Sequence, residues 1–422
     1  MNLKDLKKLK NDELVRGSFI LFIMINLFNL FNYGFHLIVA RILGPQDYGV
    51  FAVLMSFVLI YAIPSEAIQT LISRKVSKLN VKQEYGKMKD LMLDSFKSGA
   101  KISIILFVLF SLASVFFFSE ILSISPALLI ISNLLIFSFF LIPVNRGIMQ
   151  GRKKFTGLGW NIFLESLFKI LFAVILIYFG MKVYGAIIGV VLAVAITLIT
   201  SFLFIKEIVK SKRENSEVGG LYHQNWNTWI IISAIFIFFS MDIIIAKGIF
   251  SPEAAGTYAV MSMIGKMIFY GTSAIAKAML PISSQKYDEK KDSRSVFKKS
   301  LLVTGVICAI ALLIMFFFPK LLIAILFGGA YTGSYNSMFN IGISYSLLSI
   351  SYIFILNGIA HHSFRGYRKF IAFGLIIFFG LILLSYYSSS IFSFSVNLIA
   401  VNFAILIAAV IFSRKGRSVE KQ

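Results

Sequence analysis

The sequence predicts an all-α polytopic membrane protein, with twelve transmembrane helices forming two six-helix repeats around a central cavity. Three observations predict it. The 422-residue chain is 58% hydrophobic and only 14% charged, where a soluble chain carries about a quarter charged residues. Its basic residues crowd into alternate loops. A stretch near the start, ARILGPQDYGVFAV (Ala40 to Val53), returns about two hundred residues later as AKGIFSPEAAGTYAV (Ala246 to Val260).

The apolar runs come first. A helix needs about 20 mostly apolar residues to cross the hydrocarbon core, and the mean hydropathy is +0.85. Twelve runs qualify, at roughly 17–40, 46–72, 99–118, 126–145, 157–179, 184–205, 226–247, 253–280, 300–318, 337–359, 370–388 and 391–412. They are continuous rather than alternating, so they read as helices and not as barrel strands. The first run is too long for a signal peptide and lacks a small-residue cleavage site, so it reads as an uncleaved span. Short connections make neighbouring spans antiparallel. The chain divides into halves at 1–215 and 216–422.

Charge sets the orientation. The formal net charge is +22. Of 41 Lys and Arg residues, 34 fall in the two tails and on one set of alternate loops. The opposite loops hold Arg41, Lys182, Lys247 and Lys320, while Lys169, Lys266 and Lys277 lie within spans. Such bias places both termini in the cytoplasm, and it accounts for the basic balance without nucleic acid. Trp160, Trp226 and Trp229 fall at expected cytoplasmic helix ends, where amphipathic rings prefer the interface. The single cysteine, Cys308, forms no intrachain disulfide or thiolate cluster. His361 and His362 stand in a basic loop with no carboxylate or thiol beside them, and read as solvated.

The repeat sets the organisation. Pro45 aligns with Pro252, Gly49 with Gly256, Phe51 with Tyr258, and Ala52-Val53 with Ala259-Val260. Further along, GRKKF (Gly151 to Phe155) aligns with GYRKF (Gly366 to Phe370). Ordered matches at a similar offset indicate duplication. Six spans per copy is an even number, so the copies run parallel, as in transporters that place cargo between two halves. The motif itself has local uses. Gly44 can end one helix, Pro45 suits the first turn of the next, and Asp47 sits near its positive end. Ser251, Pro252 and Glu253 take those places in the second copy, with Ser251 the better N-cap.

On these residues the chain resembles the oligosaccharide flippases, the polysaccharide-transport branch of the multidrug/oligosaccharidyl-lipid/polysaccharide exporter superfamily. ARILGPQDYGVFAV before the second span is similar to that branch's signature. DIIIAKGIFSPEAAGTYAV is similar to its seventh-span motif, and GRKKF before the fifth span also looks familial. After Pro64 the chain reads SEAIQTLISR, where relatives often carry a glycine. The resemblance implies alternating access and a cargo of oligosaccharide joined to a polyprenol through phosphate or pyrophosphate. That cargo would pass from the cytoplasmic to the outer leaflet for cell-surface polysaccharide or glycan biosynthesis.

Such a cargo needs cations for its phosphate and amides or hydroxyls for its sugar, and ionisable residues inside spans are the first candidates. Lys266, Tyr270, Ser273 and Lys277 share one face of the eighth span. Lys266, near mid-membrane, is expected to face a polar cavity; Lys277 either does so or snorkels to the interface. Asn161, Glu165 and Lys169 are four residues apart on the fifth span. Glu165 and Lys169 suit an ion pair, serving either to neutralise burial or to open when phosphate competes. Asp242 in the seventh span either pairs with an eighth-span lysine or binds a proton or sodium ion. Glu66, with Gln69, Thr70 and Ser73, has the same standing. Asn26 and Asn29, on a face with Tyr33 and His36, suit either sugar contact or helix–helix adhesion. Arg41 stays open.

No phosphate-binding loop of the G-x-x-x-x-G-K-[ST] type and no H-E-x-x-H pair occurs, so an enzyme is not expected. No cofactor is implied beyond coupling to a proton or sodium gradient. Glycosyltransferases or a polymerase of the same pathway are the expected protein partners, beside the membrane itself. The alternatives are an ion-coupled drug or cation antiporter of the same superfamily and, less favoured by the short outer loops, an integral membrane glycosyltransferase or polymerase.

Overall fold

The computed structural model describes residues 13–215, 226–289, 291–361 and 367–414. The terminal tails, the division point beyond 215, His362 and Gly366 lie outside the described residues. Twelve long helices follow one another: α1 (13–43), α2 (45–81), α3 (Tyr85–Leu122), α4 (Pro126–Gly151), α5 (Phe155–Leu176), α6 (Lys182–Phe204), α7 (Trp226–Ile249), α8 (Pro252–Asp288), α9 (Arg294–Phe317), α10 (Met338–Ala360), α11 (Tyr367–Tyr386) and α12 (Ile391–Arg414). Each coincides with one expected span. Among the described residues there is no strand. The protein is a multi-pass membrane protein.

The breaks fall where the sequence allows them. Gly44 leaves the helical region at φ 73°, a conformation open to glycine at little cost, and Pro45 restarts the chain as α2. Gly180 at φ 84° separates α5 from α6 in the same way. Ser251 caps α8, its hydroxyl accepting from Ala254 N at 3.4 Å, and Pro252 takes the first turn.

One expected loop is helical. The basic stretch from residue 73 to 98 continues α2 to Val81 and begins α3 at Tyr85. Ile68, Ile72, Val76 and Leu79 form a buried stripe at helical spacing, so an amphipathic helix persists beyond the apolar run. Gly147 and Gly151 of α4 let it approach: a Cβ on either would stand 2.7 Å from Ile72 Cβ or 2.8 Å from Val76 Cβ. Charge bias reports which side of the membrane a segment occupies, not whether it is coiled.

The helices fall into two units, Met1–Leu43 with Leu54–Gln224, and Gly44–Val53 with Asn225–Gln422. In the first, α4 is central and packs on α2, α3 and α6, while α5 packs on α6. Phe31 of α1 meets Phe163 of α5 edge-on, with ring centres 5.3 Å apart. In the second, α10 is central and packs on α8, α9 and α12, α11 packs on α12, and α7 packs on α11. Fourth helix thus corresponds to tenth, and these neighbours follow by the same shift of six. The duplication is written in the pairing of helices as well as in the motifs. Helices α3 and α9 carry long exposed apolar faces, among them Ile104, Val108, Leu112, Phe116, Val306, Ile310, Leu313 and Phe317, as lipid-facing spans must.

The second unit includes one segment that a division by halves does not anticipate. Gly44–Val53, the first turns of α2, packs there against the start of α8. The residues in contact are the repeat mates themselves. A Cβ on Gly256 would fall 1.8 Å from the Pro45 carbonyl oxygen, and one on Gly49 would fall 3.0 Å from Gly256 N. Gln46 Nε2 donates to Glu253 Oε1 at 3.2 Å. The two copies of the motif bind each other, which explains why glycine stands at the same place in both.

Candidate functional site

Among the described residues, each unit holds a buried cluster of acidic and basic side chains within its spans. In the first unit, α5 presents Asn161, Glu165 and Lys169 on one face, as their spacing requires. Lys169 Nζ meets Glu165 Oε1 at 2.9 Å, and the expected ion pair forms. It is not alone. Arg146 of α4 reaches across, its Nη2 2.7 Å from Glu165 Oε2 and its Nε donating to Asn161 Oδ1 at 2.8 Å. Asn161 is steadied in turn by donating to the Thr197 carbonyl at 3.0 Å. Lys169 also donates to Asn32 Oδ1 of α1 at 3.3 Å and lies over the Phe28 ring. One carboxylate thus serves two cations, and the cluster carries one net positive charge.

In the second unit the balance is even. Lys266 of α8 meets Asp242 Oδ1 at 2.9 Å. The other oxygen, Oδ2, accepts from three hydroxyls: Ser262 at 2.6 Å, Tyr345 at 2.7 Å and Tyr258 at 2.9 Å. Lys266 is 1% exposed and Asp242 2%, and the ammonium lies 4.9 Å from the centre of the Phe239 ring. This corrects one expectation. Lys266 does not face an open polar cavity here; it is enclosed against Asp242, and the structural pairing offered for Asp242 is the one observed. The cause is helical phase: Tyr258, Ser262 and Lys266 sit four residues apart, so α8 turns all three toward α7.

The remaining candidates are dispersed. Tyr270 and Ser273 are half-buried and Lys277 is exposed, so the α8 stripe runs from closed to open toward the basic-loop end. Asn26 and Asn29 are exposed on α1 and stand apart from the amide that meets Lys169, which is Asn32. Arg41 and Glu66 are exposed. Gln69 instead donates to Gln150 of α4 at 2.9 Å. His361 is not merely solvated: its Nε2 lies 2.8 Å from Ser293 Oγ, its Nδ1 lies 2.7 Å from the Asn357 carbonyl, and its ring meets Tyr287 edge-on. Among the described residues no group of three or more His, Cys, Asp or Glu could hold a metal ion.

Arg146 is the chief site residue that periodicity hides. It directly follows the apolar run at 126–145 and so groups by sequence with the basic residues beyond it, but α4 continues to Gly151 and carries it inside the unit. The signal was its distance from them: Arg146 stands more than a helical turn before Gly151. Outside the spans, Glu207 takes Arg152 Nη2 at 2.6 Å and Lys154 Nζ at 2.9 Å. Hydrogen bonds from Lys154 and Arg152 pull its carboxyl down to about 2. That triad ties the ends of α4, α5 and α6 together.

A family model described as polysaccharide biosynthesis protein matches residues 38–336. The chain belongs to that family. No curated protein matches the sequence. Among solved structures, the family member is similar to a multidrug resistance MATE transporter of the MOP superfamily in its inward-facing conformation. The TM-score is 0.73 at 14% identity, over 94% of this chain and 96% of that one. A MATE transporter in complex with MaD5 gives 0.62 at 16% identity, over 98% of each chain. A MOP superfamily transporter from Pyrococcus furiosus Vc1 (DSM3638), for which reversed polarity of the binding pocket suggests a different function, gives 0.62 at 16%, over 97% and 96%. At such identities the likeness is one of fold. The chain is thus a polysaccharide biosynthesis family member with the fold of those structures.

Proposed function

We propose that this protein is a membrane transporter, a flippase that moves lipid-linked oligosaccharide, carried on a polyprenyl phosphate or pyrophosphate, from the cytoplasmic to the outer leaflet. It works by alternating access in the cell membrane, with both termini cytoplasmic, and serves cell-surface polysaccharide or glycan biosynthesis. Glycosyltransferases or a polymerase of the same pathway supply and consume its cargo. The family description supports the pathway. One observation supports the cargo class: Arg146 and Lys169 share a single carboxylate, Glu165. An unmatched cation inside a membrane protein is costly, and an anionic cargo group removes that cost on arrival. A pump for cationic drugs gains nothing from such a cluster.

Asp242 is the proposed coupling group for a proton or sodium gradient. Its carboxylate is held by Lys266, so coupling requires Lys266 to leave. The three hydroxyl donors would then keep the carboxylate solvated until a proton or sodium ion arrives.

The test is flipping of labelled lipid-linked oligosaccharide in liposomes. Arg146→Ala should lower the rate at least tenfold, since a hydrogen bond to a charged group is worth about 1.5–3 kcal/mol. Arg146→Lys should restore part of it. A wild-type protein that ignores the lipid-linked sugar and exports a cationic dye would establish the antiporter instead. Imposing a proton or sodium gradient on the same liposomes checks Asp242; a rate unchanged by either gradient removes it from coupling.

A further inference from the structure

Nine buried side-chain nitrogen and oxygen atoms lack a hydrogen-bond partner among the described residues. Seven belong to neutral Ser, Thr and Asn side chains. The other two, Nε and Nη1, belong to a cation, Arg152. Its side chain is only 7% exposed. Leaving the buried donors of a charged group unmet is costly. Arg152 opens the basic part of GRKKF, a motif that neither cluster uses. The second copy, GYRKF, has Tyr367 at that place, so the guanidinium is particular to the first unit.

Its surroundings are fixed. The guanidinium carbon lies 4.9 Å from the centre of the Tyr85 ring, at the start of α3. Nη2 meets Glu207 Oε2 at 2.6 Å, on the short helix Lys206–Lys210 that follows α6. That helix is held in turn: Lys89 Nζ donates to the Val209 and Ser211 carbonyls at 2.8 Å each, and Ser211 Oγ donates to the Tyr85 carbonyl at 3.1 Å. Three residues after Arg152, α5 starts without a side-chain cap, so its positive end adds to the local field.

Glu207 is an incomplete partner for this guanidinium. Its Oε2 goes to Arg152 and its Oε1 to Lys154 Nζ at 2.9 Å. Both oxygens are then engaged, and Nε, which shares an edge of the guanidinium with Nη2, receives neither. A tetrahedral anion with three free oxygens can serve Nη2, Nε and Lys154 together, and a carboxylate cannot. The guanidinium fork suits such two-point capture of phosphate. The Glu207 side chain is 48% exposed and can swing into water, which uncovers that edge.

We propose that Arg152 and Lys154 form a phosphate-binding site at the basic-loop end of the first unit, which takes a phosphate monoester or diphosphate in place of the Glu207 carboxylate. The site stands apart from the two clusters and does not depend on the transport reading above.

The experiment uses the full chain in maltoside detergent and phosphate-free buffer near neutral pH. Dioctanoyl phosphatidic acid is a monoester with three free oxygens; dioctanoyl phosphatidylglycerol is a diester with two. By titration calorimetry wild type should bind the first at least tenfold more tightly than the second, the difference expected for one charge-assisted hydrogen bond. Arg152→Lys keeps the charge without the fork and should lose at least tenfold in affinity for phosphatidic acid. Lys154→Gln, at a half-exposed position, should lose as much and serves if Arg152→Lys does not fold. Glu207→Gln removes the competing charge and should bind more tightly than wild type. Inorganic phosphate separates the sources: Arg152-dependent binding of phosphate alone supports a site for the free ion, and Arg152-dependent binding of the lipid alone supports a site read from the membrane surface. The proposal is overturned if neither anion binds, which leaves the idle nitrogens to water. It is equally overturned if the Arg152 and Lys154 variants bind as wild type does, if Glu207→Gln binds no more tightly, or if the diester binds as well as the monoester.

Discussion

The Asp242–Lys266 pair makes the sharpest stability prediction. Removing the acid by Asp242→Leu strands an ammonium that is 1% exposed, together with the hydroxyls of Tyr258, Ser262 and Tyr345 that had donated to the carboxylate. Removing the base by Lys266→Met leaves the carboxylate with those three donors but no counter-charge. Breaking a buried pair from one side costs about 3–5 kcal/mol, whereas replacing both partners with apolar groups is often neutral or stabilising. Asp242→Leu should therefore be the worse single change, since Lys266→Met keeps three hydrogen bonds on the carboxylate. The double variant should recover most of the loss. Denaturant or detergent-induced unfolding of the purified protein, followed by intrinsic fluorescence, gives the four free energies of the cycle. The reasoning is refuted if the double variant loses as much as the two single variants together, because the side chains would then be acting independently. Transport separates stability from function: a folded double variant that still flips cargo would remove the pair from the mechanism.

Two further predictions test the scaffold. Gly256→Ala should destabilise by roughly 1–3 kcal/mol, because its Cβ would meet the Pro45 carbonyl oxygen at 1.8 Å, a backbone atom that cannot turn aside. Gly271→Ala, with nothing within 4 Å of its Cβ, should raise the melting temperature slightly through helix propensity; equal melting temperatures for the two variants would sink the close-packing account. Glu207 should add stability that is complete above its ordinary pKa of 4.5 and lost as pH falls toward about 2, because its folded value is the lower one. The group is largely exposed, so the difference from Glu207→Gln stays within about 1 kcal/mol. Melting curves from pH 7 downward should show the two proteins converging in acid, and a constant gap would refute the assignment.

The fold was legible because membrane physics leaves few options. An apolar run of span length becomes a helix, and the side that holds the basic loops follows from counting. The site was legible only within single helices. Glu165 and Lys169 are four residues apart, and their pairing followed from spacing. Arg146 is nineteen residues from Glu165 in sequence, on another helix, and nothing in a periodicity marks which faces of two helices will meet. Lys266 shows the same limit from the other direction. Its stripe with Tyr270, Ser273 and Lys277 was visible, but Ser262 and Tyr258 extend that stripe toward α7 and decide that the lysine closes on Asp242. His361 was read from its loop neighbours and is instead fixed by Ser293, sixty-eight residues away.

Duplication gave both units one scaffold, and what distinguishes them is charge. The motif mates Pro45–Gly49 and Pro252–Gly256 remain so alike that they pack backbone to backbone. The shared pairing of helices around α4 and α10 remains as well. The clusters do not match. On the fifth helix, Glu165 faces two cations and stays one negative charge short; on the seventh and eighth, Asp242 and Lys266 cancel, and three hydroxyls complete the carboxylate. A neutral, fully satisfied pair has little to gain from an incoming anion, whereas an under-balanced one gains an ion pair. If anionic cargo engages this protein, the first unit should hold the phosphate before the second responds. Arg146→Ala should then weaken binding of the lipid-linked phosphate itself, while Lys266→Met should slow translocation and leave binding near the wild-type value. The opposite split, binding lost in Lys266→Met and kept in Arg146→Ala, would move the recognition site to the second unit.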